Sequence, residues 1–179
     1  MLPPRRQKRL LPAISKEQLD MLVNHALCER DKVILNLLWY SGMRRSEVAN
    51  VQAQDFNWEE GTVVVLGKGN RYRKALAGNG IVQGWFSKHG SLEITSDGIQ
   101  TMLKRLGVAT GIHCNAHSFR RGFAVHNVKS GLSNKVIQSL GGWETPDMVS
   151  HYAASLTFDD ALELYNKVNI KLEMVVESK

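Results

Sequence analysis

Apolar residues recur at helical spacing along most of the chain and run as a compact β-branched block in one place. Leu19, Leu22, Val23 and Ala26 follow the segment Ser15-Lys16-Glu17-Gln18, which has capping-box form, so a helix is predicted over about 15–28. A second helix begins near Arg30, carries Val33, Ile34, Leu37 and Leu38, and ends at Ser41-Gly42, where glycine suits a helix C-terminus. A short helix from Ser46 to Val51 follows and leaves Arg44 at a junction between helices. Thr62-Val63-Val64-Val65-Leu66 reads as a strand, Gly67-Lys68-Gly69-Asn70 as a turn and Arg71 to Ala77 as the returning strand, a hairpin with lysine at its tip. Ile99, Met102, Leu103 and Leu106 predict a helix over 97–106, and another is predicted over 116–129. Ser133 can cap a helix through Leu140, and Thr157-Phe158-Asp159-Asp160 can cap one reaching the 160s or Met174. No repeat, low-complexity segment or clear linker interrupts the series. The expected fold class is therefore α+β, mainly helical with a small antiparallel sheet.

Composition narrows the setting. The 179 residues are enough for one domain with a real core, and 43% apolar with 22% charged residues is ordinary for a globular chain. Lys and Arg number 23 against 17 Asp and Glu, a net charge of +6 that favours an anionic partner such as nucleic acid without specifying one. Cys28 and Cys114 are too few for a disulfide framework, which fits a reducing, cytoplasmic setting. No run is long enough to span a bilayer, and residues 1–14 form a basic leader without the apolar core of a secretory signal. That leader is either a solvated tail or a contact to a DNA backbone.

Chemistry concentrates in a few places. His117 and Arg120 lie three positions apart and project from one face of their helix while Arg121 points elsewhere, so the pair can hold one phosphate. An arginine fork matches phosphate oxygens, and a histidine exchanges protons near neutral pH. His113 and His117, four apart with Cys114 between them, raise a metal site, but no third and fourth ligands gather nearby and no metal is expected. The Gly67-Lys68-Gly69 turn is not a nucleotide loop, since Gly61 is spaced wrongly and no Ser or Thr follows Lys68.

Taken in order, Gly42-Met43-Arg44-Arg45-Ser46-Glu47, Gly67-Lys68-Gly69-Asn70, His117-Ser118-Phe119-Arg120, Leu140-Gly141-Gly142-Trp143 and Tyr152 resemble the signature of the tyrosine recombinase (phage integrase) family. The likeness spans roughly residues 14–167, and the joint pattern is far more specific than any one piece. It implies the family's catalytic-domain fold and an enzyme that cleaves and rejoins DNA through a 3′-phosphotyrosyl link. In that role Arg44 and Arg120 clamp the scissile phosphate, Tyr152 attacks phosphorus, His117 takes the phenol proton and Lys68 protonates the departing 5′-oxygen. Trp143, standing where many members have histidine, donates one hydrogen bond and packs the site; Glu47 supports it; Phe119 replaces the usual leucine. Arg45, Arg71, Arg73, Lys74 and Arg121 are candidate DNA contacts. Because phosphate-ester energy is kept in the phosphotyrosine, the resemblance implies no cofactor, and it implies double-stranded DNA as partner and a homo-tetramer on DNA.

Other readings remain open. Tyr152 alone is compatible with an ordinary half-buried tyrosine, and Lys68 with one more solvated charge. The apolar C-terminal segment fits either docking on a neighbouring protomer or packing on its own domain. The same chemistry without synapsis would give type IB topoisomerase-like relaxation, and a silent DNA-binding module would keep the fold alone. Most family members carry a core-binding domain before the catalytic one; here residues 15–179 are read as catalytic domain with that domain absent, as a fragment or a reduced protein.

Overall fold

The computed structural model describes residues 11–67, 69–154 and 156–177. The first helix, α1 (Lys16–Asn24), starts at the expected capping box: Ser15 Oγ accepts from the Gln18 amide at 3.2 Å and the Gln18 side chain accepts from the Ser15 amide at 3.0 Å. It ends four residues earlier than its apolar spacing predicts, because His25 closes the last turn through the Met21 carbonyl at 2.8 Å, leaving Leu27 in solvent. Helix α2 (Glu29–Ser41) is buried nearly all round and is the central post of the molecule. Gly42 ends it in the left-handed region at φ 60°, and a Cβ there would lie 2.7 Å from the Phe123 ring, so the turn into α3 (Arg45–Asn50) requires glycine.

The expected hairpin forms the larger part of a three-stranded antiparallel sheet in the order β1 (Phe56–Asn57), β2 (Thr62–Leu66), β3 (Tyr72–Leu76). Register pairs Val63 with Ala75 and Val65 with Arg73, and Val63, Val65 and Ala75 face the core. Helix α4 (Gly80–Phe86) has no counterpart in the helical spacing, since Gly80 and Gly84 thin its apolar face, yet Asn79 caps it through the Ile81 and Val82 amides. Helix α5 (Ser96–Thr110) is one turn longer than predicted, while α6 (Ala116–Lys129) and α7 (Asn134–Gly141) lie where expected within one residue. A short helix, α8 (Asp147–Ala153), carries Tyr152, and α9 (Phe158–Glu177) follows it.

Two apolar clusters hold these elements. The larger joins α1 through α5, the sheet and the start of α6; the smaller gathers Phe123, Ala124, Val128, Ile137 and Val149 between α6, α7 and α8. Gly122 permits the crossing of α6 over α2, since a Cβ there would meet the Ile14 carbonyl at 2.4 Å and the Trp39 ring at 2.7 Å. No helix among the described residues is long and apolar enough to cross a membrane.

Candidate active site

Arg44 precedes α3 with extended backbone, so its guanidinium emerges where α2, α3 and the hairpin meet. Glu47, one turn on, fixes it twice: one carboxylate oxygen accepts from the Arg44 amide at 2.7 Å and the other from Nη1 at 3.0 Å. The Arg44 Nη2 donates to the Gly142 carbonyl at 3.3 Å. Glu47 is 1% exposed and takes a second guanidinium, Arg73, through Nε at 3.1 Å and Nη2 at 2.8 Å. Burial pushes the Glu47 carboxyl up, but the hydrogen bonds from Arg73 and the Arg44 amide, with both cationic charges, outweigh it and hold the group below the ordinary glutamate range.

Helix α6 supplies the other half. Asn115 caps it through the Ser118 amide at 2.9 Å and also bonds the His113 ring at 2.9 Å. Arg120 is 7% exposed; its Nη1 donates to the Gly42 carbonyl, and its Nη2 is buried with no hydrogen-bond partner among the described residues. Burial, then the charges of Arg44 and Arg73, lower the Arg120 pKa to about 10, opposed by Glu47 and Tyr152. It remains a cation at neutral pH. The Trp143 ring lies over this guanidinium at 4.3 Å, a cation–π contact that shields it from bulk water.

Arg44, Arg45, His117 and Arg120 line one cavity of about 380 Å³ together with Ser96 and Gln100. Arg44 also borders a second cavity, lined by Gly67, Gly69, Arg71, Tyr72, Arg73, Gly142 and Glu144, so the hairpin turn stands beside it. The expected Lys68 lies outside the described residues. Tyr152 does not line either cavity; it packs half-buried on the cluster of Phe123, Val128 and Ile137, within electrostatic reach of Arg120 and Arg121. Burial raises its pKa above that of an ordinary phenol, and those two arginine charges oppose the rise without cancelling it.

The five arginine and lysine residues expected to face DNA separate. Arg71 is exposed at the hairpin, and Arg45 is held at the cavity rim by Gln100 at 2.9 Å. Lys74 pairs with Glu60 at 2.8 Å on the surface, and Arg121 donates to the Pro12 carbonyl at 2.6 Å. Arg73 departs from expectation: it is 17% exposed and turned inward onto Glu47 and the Leu140 carbonyl. Its register opposite Val65, on the face that also buries Ala75, is the reason. The motif order includes Gly141 and Gly142 but gives them no role; their lack of side chains seats Trp143 and Arg73, since a Cβ on Gly141 would overlap the Trp143 ring at 1.9 Å. The Leu-Gly-Gly-Trp run was the available sign.

This arrangement of helices and sheet is the catalytic-domain fold of tyrosine recombinases. The phage integrase family model matches residues 12–85 and 85–157, and the chain belongs to that family. It is similar to tyrosine recombinase XerC of Vibrio cholerae serotype O1 (strain M66-2), 26% identical over 191 residues covering 93% of this chain and 61% of that protein. The chain thus spans about six-tenths of that relative's length. Its fold matches XerA recombinase with a TM-score of 0.72 at 21% identity, over 93% of this chain and 66% of that one. It also matches XerH site-specific recombinase bound to palindromic difH substrate in a post-cleavage complex, with a TM-score of 0.68 at 18% identity, over 89% and 53%.

Proposed function

We propose that this chain is the strand-cleaving unit of a site-specific DNA recombinase. The observation that carries the reading is the Arg120 Nη2: a buried cationic donor with no partner among the described residues, beside a cavity shared with Arg44 and His117. An unpaired buried donor is costly, and a phosphate oxygen satisfies both its charge and its hydrogen bond. The phosphate is that of double-stranded DNA, in keeping with the net charge of +6 and with the DNA-bound state of XerH.

In this reading Arg44 and Arg120 neutralise the non-bridging oxygens of the scissile phosphate. The Tyr152 oxygen attacks phosphorus as its proton passes to His117; the bond from phosphorus to the 5′-oxygen breaks, and Lys68 donates the proton that leaves a free 5′-hydroxyl. Rejoining runs the same steps backward with a 5′-hydroxyl as nucleophile. The raised pKa of Tyr152 makes an assisting base and a nearby cationic phosphate clamp necessary at neutral pH. Trp143 holds Arg120 in place and limits water. On DNA the protein works as a homo-tetramer, which strand exchange between two duplexes requires.

The test is strand transfer between two duplexes alongside relaxation of supercoiled plasmid, with Arg44→Ala and Arg120→Ala in parallel. Transfer in the wild type, reduced about 10²–10³-fold in each variant at unchanged folding, is expected. Relaxation without transfer indicates a topoisomerase-like activity, and DNA binding without either indicates a silent module.

A further inference from the structure

Arg73 bonds two parts of the site at once and packs against the turn between them. Its Nε and Nη2 grip both oxygens of Glu47, the residue that orients Arg44; its Nη1 reaches the Leu140 carbonyl at 3.4 Å. A Cβ on Gly142 would lie 2.7 Å from its Cδ and from its Nε, and Gly142 is in the left-handed region at φ 64°. The 140–143 turn therefore closes directly onto this guanidinium. That turn offers the Gly142 carbonyl to Arg44, places Trp143 over Arg120, and leads into α8 with Tyr152.

We propose that Arg73 is a positioning residue for strand cleavage: through Glu47 it brackets Arg44 to the turn that carries Trp143 and precedes the nucleophile, and it does not bind DNA. The inference rests on the reading of the chain as a strand-cleaving enzyme. Its chemistry follows from the fork. A planar guanidinium can serve Glu47 through two parallel donors and still present a third to Leu140, whereas a lysine ammonium keeps the charge next to Glu47 but cannot span both sites. A phosphate contact behaves in the opposite way, since lysine replaces arginine there as a point charge and neutralisation of the residue removes a counterion-release site.

The experiment compares the wild-type chain with Arg73→Lys and Arg73→Gln in two measurements. The first is covalent adduct formation on nicked suicide duplexes in single turnover, resolved into the maximal rate and the half-saturating DNA concentration, with binding measured across a salt series. The second is amide exchange of residues 138–154 in the DNA-free protein. Expected are an unchanged half-saturation and salt slope in both variants, a maximal rate reduced tenfold or more even in Arg73→Lys, and faster exchange confined to 138–154. A salt slope shallower by about one in Arg73→Gln, with Arg73→Lys behaving as wild type, overturns the proposal in favour of a phosphate contact. Unchanged exchange in both variants overturns it whatever the activity. A wild type that forms no adduct contradicts the enzymatic reading itself, and the exchange result then decides the bracket alone. If Arg73→Gln does not fold, the charge-conserving Arg73→Lys decides each point.

Discussion

Glu47 shows how one buried carboxylate organises a cationic site. Replacing it by glutamine leaves Arg44 and Arg73 facing each other in a pocket with 1% exposure at the missing charge, so a stability loss of about 3 kcal/mol is expected in urea titration. The pH dependence follows from the direction of its shift. A folded-state pKa below the unfolded value near 4.5 means that the stabilisation is fully present above that value and is lost as pH falls through the folded pKa. Urea midpoints measured from pH 6 downward should fall more steeply for the wild type than for Glu47→Gln; parallel curves would refute the assignment. Arg44, His117, Arg120, Trp143 and Tyr152 were legible as residues because they stand in a fixed order of short motifs. The direction of Arg73 was harder to see among Arg71, Tyr72 and Lys74. Strand alternation does separate it, since Arg73 and Ala75 share the inward face once the pairing with Val65 and Val63 is known. Register, not residue type, turns the Arg73 side chain inward onto Glu47.

At the scale of elements, the turn between α7 and α8 bears the tightest constraints. Gly142→Ala would place a methyl 2.7 Å from Arg73 and force an L-residue into the left-handed region, for which about 1–2 kcal/mol of backbone strain is expected before any clash. The variant should keep its circular dichroism and lose covalent adduct formation; retained adduct formation would show that the turn can shift without consequence. Most helices were legible because their apolar spacing is regular and their caps are explicit, as at Ser15, Asn115 and Ser133. Helices α4 and α8 were not. The first is interrupted by two glycines, and the second has seven residues, too few for a periodicity to register, although Pro146 before it is a fitting start. Tyr152, the proposed nucleophile, thus sits on an element that only the motif order, and not the apolar pattern, pointed to.

At the scale of the whole molecule, the site straddles a large core and a small one. Arg44 and Glu47 belong to the elements of the first, and Tyr152 packs on the second, which is built from Phe123, Ala124, Val128, Ile137 and Val149. Less apolar burial means a lower cost of local opening, so amides of α7 and α8 should exchange faster than those of α2; equal protection would argue for a single cooperative unit. With a net charge of +6, the proposed DNA binding is expected to be backbone-driven, with affinity dropping steeply between low and high salt. The proposed chemistry turns on one covalent event at Tyr152. The direct measurement is incubation with a nicked suicide duplex, denaturation in detergent, and detection of a protein–DNA band beside Tyr152→Phe. A band in the wild type that maps to Tyr152 and vanishes in the variant is the expected result. A band that persists in Tyr152→Phe, or DNA binding with no band under any condition, would contradict it.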